Sequence, residues 1–163
     1  MKKIRILNVF SLIFNLLIVG VIAYAFISKA KSNDFVGNIR YFTVVANLLL
    51  ALVSFISIIF NIKSIATGKK LPKAITVLKL MVTANVTIVL LSMIMYLLPE
   101  GKESYIATLK DSSLISAFSL LHFVSPALAI ISFLFFDHSE KTKFPINFVS
   151  LIPLVLYGAF YIL

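Results

Sequence analysis

Residues 41–62 read YFTVVANLLLALVSFISIIFNI, a run without a single charged side chain. About 20 consecutive apolar residues suffice for an α-helix to cross the roughly 30 Å hydrocarbon core of a bilayer, and this run is long enough. Comparable blocks occur at 7–28, 74–98, 113–136 and 144–163. The sequence therefore predicts an all-α polytopic transmembrane helix bundle with five helices, in which residues 1–163 form a single unit.

The composition indicates that these blocks lie in lipid rather than in a soluble core. Hydrophobic residues make up 61% of the 163-residue chain and charged residues 13%, whereas soluble domains have about 45–50% and about 25%. The second, third and fourth blocks lack strict apolar–polar alternation, which argues against the strands of a transmembrane β-barrel. Because the connections are short, sequential helices should be antiparallel neighbours.

The first block admits two interpretations. Basic residues precede it, and Ala23-Tyr24-Ala25 resembles the cleavage site of a signal peptide. Its apolar run is about 20 residues long, however, whereas the apolar region of a signal peptide has about 7–15. A retained membrane anchor is therefore the favoured interpretation.

Lysine and arginine positions predict the orientation, because cytoplasmic loops carry an excess of these residues. With a cytoplasmic N-terminus, ten of the 15 basic residues fall inside and five outside. The inner set is Lys2, Lys3, Arg5, Lys63, Lys69, Lys70, Lys73, Lys79, Lys141 and Lys143, and the outer set is Lys29, Lys31, Arg40, Lys102 and Lys110. The sequence therefore predicts a multi-pass protein of the cell membrane. Its net charge of +9 is expected to attract membrane lipids and not nucleic acid.

Several kinds of site have little support in the sequence. The absence of cysteine excludes disulfides and cysteine metal ligands. Asp137, His138 and Glu140 could hold a metal weakly, but a solvated loop is the better interpretation, so neither metal nor cofactor is predicted. No Asp or Glu lies within the predicted spans, which argues against a carboxylate-driven transporter. Lys79 is expected to extend its ammonium group to the inner membrane surface.

A polar stripe runs along the predicted second helix. At about 100° per residue, its five members fall within about 40° of one direction; they are Thr43, Asn47, Ser54, Ser57 and Asn61. Polar side chains within spans usually face the bundle interior or a cavity, and the stripe fits either interhelical packing or a site. Asn85 on the third helix needs a partner, which Asn47 or another stripe residue is expected to supply.

The fourth block contains the sequence Leu120-Leu121-His122-Phe123-Val124-Ser125-Pro126. Proline lacks the amide that would bond the carbonyl four residues earlier, which is that of His122, so a bend is expected there. Ser119 and Ser125 flank His122 at about one-turn spacing. Histidine can act as a base near neutral pH, although it can equally serve as a hydrogen-bonding partner of a neighbouring helix.

Thr43 and His122 lie on helices that run in the same direction through the membrane. Counted from the predicted span ends, their depths differ by roughly 10 Å at about 1.5 Å per residue. A bent fourth helix or a tilted second one could close that gap. A meeting of the two side chains toward the outer leaflet is therefore feasible.

These residues also carry a family resemblance. The segment RYFTVVANLL at 40–49 resembles the second-helix signature of a family of bacterial six-pass membrane proteins, and the His122-x-x-x-Pro126 element resembles that family's fourth helix. This group is similar to the eukaryotic androgen-induced and androgen-dependent TFPI-regulating proteins, described as transmembrane threonine hydrolases of fatty-acid esters of hydroxy fatty acids. The resemblance covers roughly residues 41–163. Relatives often have an Asp where this chain has Ser132, and a sixth helix is expected, so the chain either ends flush with the membrane or is part of a longer protein.

The resemblance implies that Thr43 is a nucleophile and His122 its catalytic base. Asn47, one turn from Thr43, could donate a hydrogen bond to a developing oxyanion, with Ser125 as a supporting side chain. The implied function is hydrolysis of a lipid ester, with a fatty-acid ester as substrate and no cofactor. The alternative is a non-enzymatic bundle that binds lipid or a small molecule, or a structural subunit, in which the stripe serves packing. The sequence does not define the oligomeric state.

Overall fold

A computed structural model describes residues 2–30, 41–97, 99, 116–137 and 148–162. Most of these residues are helical, and none of them lies in a strand. The helices are α1 (Lys2–Ala30), α2 (Phe42–Thr67), α3 (Lys73–Ser92, followed by a π-helical turn at Met93–Leu97), α4 (Ala117–Asp137) and α5 (Ile152–Ile162). The predicted all-α bundle is confirmed.

Helices α1 to α4 are long and apolar enough to cross a membrane, over Ile4–Ser28, Phe42–Thr67, Lys73–Met95 and Ala117–Asp137. The chain is therefore a membrane protein. Helix α5 has 11 residues, which extend about 16 Å at about 1.5 Å per residue. It covers only the second part of the predicted fifth span, whose residues 144–147 lie outside the described ranges.

The four long helices pack as a closed bundle, because α1 and α3 each contact both α2 and α4. Small and branched apolar side chains fill its centre, including Ile22, Leu50, Val86 and Ala129. Large apolar side chains cover the outside instead, among them Leu16, Phe55, Met95 and Phe135. Because apolar groups face outward and many polar groups face inward, hydrocarbon is the natural surrounding of this bundle.

The turn between α2 and α3 is built around Gly68, whose φ of 68° lies in the left-handed region. A glycine adopts this conformation without the steric penalty of a Cβ atom and commonly ends a helix. The Gly68 amide bonds to the Ser64 carbonyl at 2.8 Å, which satisfies one of the last carbonyls of α2.

Helix α4 departs from α-helical geometry where the sequence predicts an interruption. A π-helical turn covers Leu120–Val124, and the Ser125 amide bonds to the Leu120 carbonyl five residues earlier. Pro126 has no amide to continue that pattern. The Leu121 carbonyl therefore receives neither the Ser125 amide nor an amide from Pro126. Its donors are side chains, namely the Asn47 amide of α2 at 3.0 Å and the Ser125 hydroxyl at 3.5 Å.

Candidate functional site

Thr43 and His122 meet in the structure. The Thr43 hydroxyl lies 3.4 Å from His122 Nε2, and both side chains are part-buried. The depth difference is smaller than predicted because α4 begins at Ala117, after the extended N-cap residue Ser116, and not at residue 113. Thr43 is the second residue of its helix and His122 the sixth, so their depths differ by about 6 Å at about 1.5 Å per residue.

A backbone carbonyl orients the His122 ring. Nδ1 lies 2.9 Å from the Phe118 carbonyl oxygen, one turn earlier in α4. Because a carbonyl oxygen can only accept, Nδ1 carries the proton in the neutral ring and Nε2 presents its lone pair to Thr43. The Phe118 ring also packs against the imidazole, with the centroids 4.4 Å apart. This backbone partner was not predicted, and its only signal in the sequence is the four-residue spacing between Phe118 and His122.

Asn47 joins α2 to the π-helical turn of α4. Its amide nitrogen donates to the Thr43 carbonyl at 2.8 Å and to the Leu121 carbonyl at 3.0 Å. The Ser125 hydroxyl donates to the Asn47 side-chain oxygen. Both amide protons of Asn47 are thus engaged, so donation to an oxyanion would require one of these bonds to break. Ser125 likewise contacts Asn47 and not the His122 ring in the bonds described.

Thr43 lies in the first turn of α2, where the first backbone amides of the helix are found. The amides of Val44 and Val45 bond to the Tyr41 carbonyl at 2.9 and 3.3 Å. The amides of Phe42 and Thr43 have no hydrogen-bond acceptor within α2, because the first amides of a helix precede every carbonyl that could accept from them. The N-terminus of a helix also carries partial positive charge that stabilises a nearby anion.

The rest of the polar stripe faces the bundle interior, as predicted. Ser54, Ser57 and Asn61 are almost completely buried. The Ser57 hydroxyl bonds to the Val53 carbonyl in its own helix at 2.7 Å, and Asn61 donates to the Ser11 hydroxyl of α1 at 2.8 Å. This part of the stripe serves packing between helices.

The prediction that Lys79 reaches the membrane surface is wrong. Its side chain is 1% exposed, and its Nζ lies 3.2 Å from an oxygen of Asp137, which is 2% exposed. Lys79 also donates to the Asn15 side-chain oxygen at 2.6 Å. A surface position would leave the Asp137 carboxylate buried without a counter-charge, which is far more costly than burying the pair.

The buried position of Asp137 was not predicted, because the sequence pattern indicated a loop at this residue. It is the last residue of α4 and lies inside the bundle, so a carboxylate is present within the helical spans after all. The hydroxyls of Ser11 and Ser132 donate to its two oxygens. The signal in the sequence is that Asp137 directly continues the apolar run FLFF at 133–136. His138 and Glu140, which completed the weak metal motif, lie outside the described residues.

The predicted partner of Asn85 is also wrong. Asn85 donates to the carbonyls of Met81 and Ser150, at 2.6 and 3.0 Å, and not to the stripe on α2. Asn85 points away from the face of α3 that carries Lys79, so its amide reaches the turn that precedes α5. This bond fixes the fifth helix on α3.

Comparisons with known protein families, with characterised proteins and with solved structures find no match.

Proposed function

We propose that this protein is an intramembrane hydrolase of lipid esters, in which Thr43 is the nucleophile and His122 the general base. The observation that carries the proposal is the 3.4 Å separation between the Thr43 hydroxyl and His122 Nε2. Bonds between catalytic side chains are often longer than about 3.2 Å before substrate binds. The resemblance of the two motifs to threonine hydrolases of fatty-acid esters supports the same assignment.

The reaction would proceed through an acyl-enzyme. His122 Nε2 takes the hydroxyl proton as Thr43 Oγ1 attacks the ester carbonyl carbon. When the tetrahedral intermediate collapses, the ester C–O bond breaks and His122 returns the proton to the leaving alkoxide. Water then attacks the Thr43 ester with His122 as base, the bond between Oγ1 and the acyl carbon breaks, and Oγ1 recovers its proton. The products are an alcohol and a fatty acid.

The negative charge of the tetrahedral intermediates needs donors that are not already engaged. The first-turn amides of Phe42 and Thr43 are the best candidates, because they adjoin the nucleophile at the positive end of α2. Asn47 is better assigned as a positioning residue, since it ties the Thr43 carbonyl to the Leu121 carbonyl and so holds the two reacting side chains together.

The proposed location in the cell membrane and the proposed orientation rest on the distribution of basic residues. With the buried Lys79 set aside, an N-terminus in the cytoplasm places nine of the 15 lysines and arginines on the inner side and five on the outer side. In that orientation the start of α2 lies in the outer leaflet. A lipid ester could then reach Thr43 laterally from the membrane.

A non-enzymatic bundle is the second candidate, and one observation favours it. The side chains of Asn47, Ser57 and Asn61 all donate hydrogen bonds within or between helices, so the stripe has a packing role whether or not Thr43 reacts. In this case the contact between Thr43 and His122 is one more interhelical hydrogen bond, which contributes about 0.6 kcal/mol on average.

Substitutions at the pair distinguish the two candidates. If the site is catalytic, Thr43→Ala and His122→Ala each abolish hydrolysis of a lipid ester, and the double variant is little worse than either, because residues that act as a unit are non-additive. Thr43→Ser keeps part of the activity. A fluorophosphonate probe should label wild-type protein at Thr43 and leave Thr43→Ala unlabelled.

Thr87→Ala is the matched control, since Thr87 is also part-buried and its hydroxyl bonds only to the Thr83 carbonyl among the contacts described. It should retain both activity and labelling. If folded wild-type protein neither takes up the probe nor cleaves a range of lipid esters, the packing role is correct and the hydrolase assignment fails.

A further inference from the structure

A cavity of about 190 Å³ lies where α2 ends and α3 begins. Three lysines line it, namely Lys63 in the last turns of α2 and Lys69 and Lys70 in the turn that follows. Among the described residues that line this cavity, none is acidic. Lysine ammonium groups bind phosphate as point charges, so the cavity is suited to a phosphate group.

The turn that carries two of these lysines is fixed by side chains. The Ser64 hydroxyl donates to the Lys69 carbonyl, and the Lys69 amide bonds to the Thr67 hydroxyl at 3.4 Å. Asn8 of α1 donates to the same Ser64 hydroxyl at 2.6 Å. The lysine backbone is therefore held against two helices, which reduces the conformational entropy lost when an anion binds.

The location decides which phosphate compound fits best. The α2 span ends at Thr67 and the α3 span begins at Lys73, so the cavity lies at the depth of the lipid headgroups. Phe60, one turn inside Lys63, gives it an apolar wall on the membrane side. Basic pockets between transmembrane helices at this depth are suited to anionic lipid headgroups.

We propose that this cavity is a binding site for the headgroup of an anionic phospholipid, with Lys63, Lys69 and Lys70 around the phosphate and the acyl chains beside Phe60. The site is independent of the Thr43–His122 pair, which lies at the opposite end of α2. The bound lipid is a structural or regulatory ligand and not the ester that would be hydrolysed.

Lipid retention in detergent tests the site. Purified protein in a neutral detergent is mixed with phosphatidylglycerol or phosphatidylcholine, and bound lipid is measured by native mass spectrometry. Wild-type protein should retain phosphatidylglycerol in preference to phosphatidylcholine. Each of Lys63→Gln, Lys69→Gln and Lys70→Gln should lower its affinity about fivefold, and the triple variant on the order of 100-fold.

Lys73→Gln is the matched control, because Lys73 is exposed at the same end of the bundle and does not line the cavity. It should bind like wild type. If Lys73→Gln weakens binding as much as Lys69→Gln, basic residues attract the lipid diffusely and the site is refuted. The site is also refuted if the triple variant retains phosphatidylglycerol, because the three lysines then do not bind it. Displacement of the lipid by millimolar glycerol phosphate would refute the assignment to a lipid and identify a soluble phosphate ligand.

Discussion

Lys79 and Asp137 form an ion pair in the interior of the bundle, with Nζ 3.2 Å from a carboxylate oxygen. Such a pair is stable only when its remaining hydrogen-bonding capacity is met. The Lys79 ammonium group donates to the side-chain oxygens of Asn15 and Ser54. The Asp137 carboxylate accepts from the hydroxyls of Ser11 and Ser132. The sequence separates these residues so widely that no local pattern could reveal their pairing.

Breaking this pair should destabilise the protein far more than replacing it. Lys79→Met and Asp137→Leu should each lower the free energy of unfolding by about 3–5 kcal/mol, because one buried charge is left alone. The double variant should be close to wild type. Reversible unfolding in mixed micelles measures all four proteins, and losses that simply add would contradict a direct interaction between the two charges.

At the scale of the element, the π-helical turn of α4 positions His122. A turn with one extra residue rotates the preceding segment by about 100° relative to the following one. That rotation directs the His122 ring to the first turn of α2, while the Leu121 carbonyl turns toward Asn47. The proline could be read from the sequence as an interruption, but the direction of the rotation depends on packing against α2, which a single helix does not encode.

Pro126→Ala should therefore separate Thr43 from His122. The new amide allows the turn to close into a regular α-helix, which would rotate the histidine away. Because the chain has no cysteine, the double substitution Thr43→Cys and His122→Cys should be bridged readily by a short bifunctional thiol reagent, and much less so when Pro126→Ala is added. Equal cross-linking in the two backgrounds would show that Pro126 does not maintain the turn.

For the molecule as a whole, hydropathy was sufficient to predict the four long helices of the bundle. Blocks of apolar residues placed α1 to α4 within a few residues of their observed ends, because the thickness of the bilayer fixes the length of a spanning helix. Hydropathy gave less information about polar residues near helix ends. Lys79 and Asp137 both lie near such ends, where a charged side chain can either reach water or turn inward, and only the tertiary partners decide between these positions.

The proposed orientation of the bundle rests on the positions of the basic residues and can be measured directly. In intact cells, a cysteine at Lys69 should be shielded from a membrane-impermeant thiol reagent, and one at Lys102 should be labelled. Opening the cells should expose position 69. Labelling of position 69 in intact cells would reverse the orientation and move the start of α2 to the cytoplasmic leaflet.

The distance along the chain between Lys79 and Asp137 also has a consequence during synthesis. Asp137 follows Lys79 by 58 residues (137 − 79), which at about 5–20 residues per second is a delay of about 3–12 s. Throughout that interval Lys79 has been synthesised, but Asp137, which carries its counter-charge, has not. Asn15 and Ser54 are already present by then, and their oxygens are neutral acceptors for the lysine. We therefore expect these two residues to bind the Lys79 ammonium group before Asp137 is made, so that their loss should reduce the yield of inserted protein.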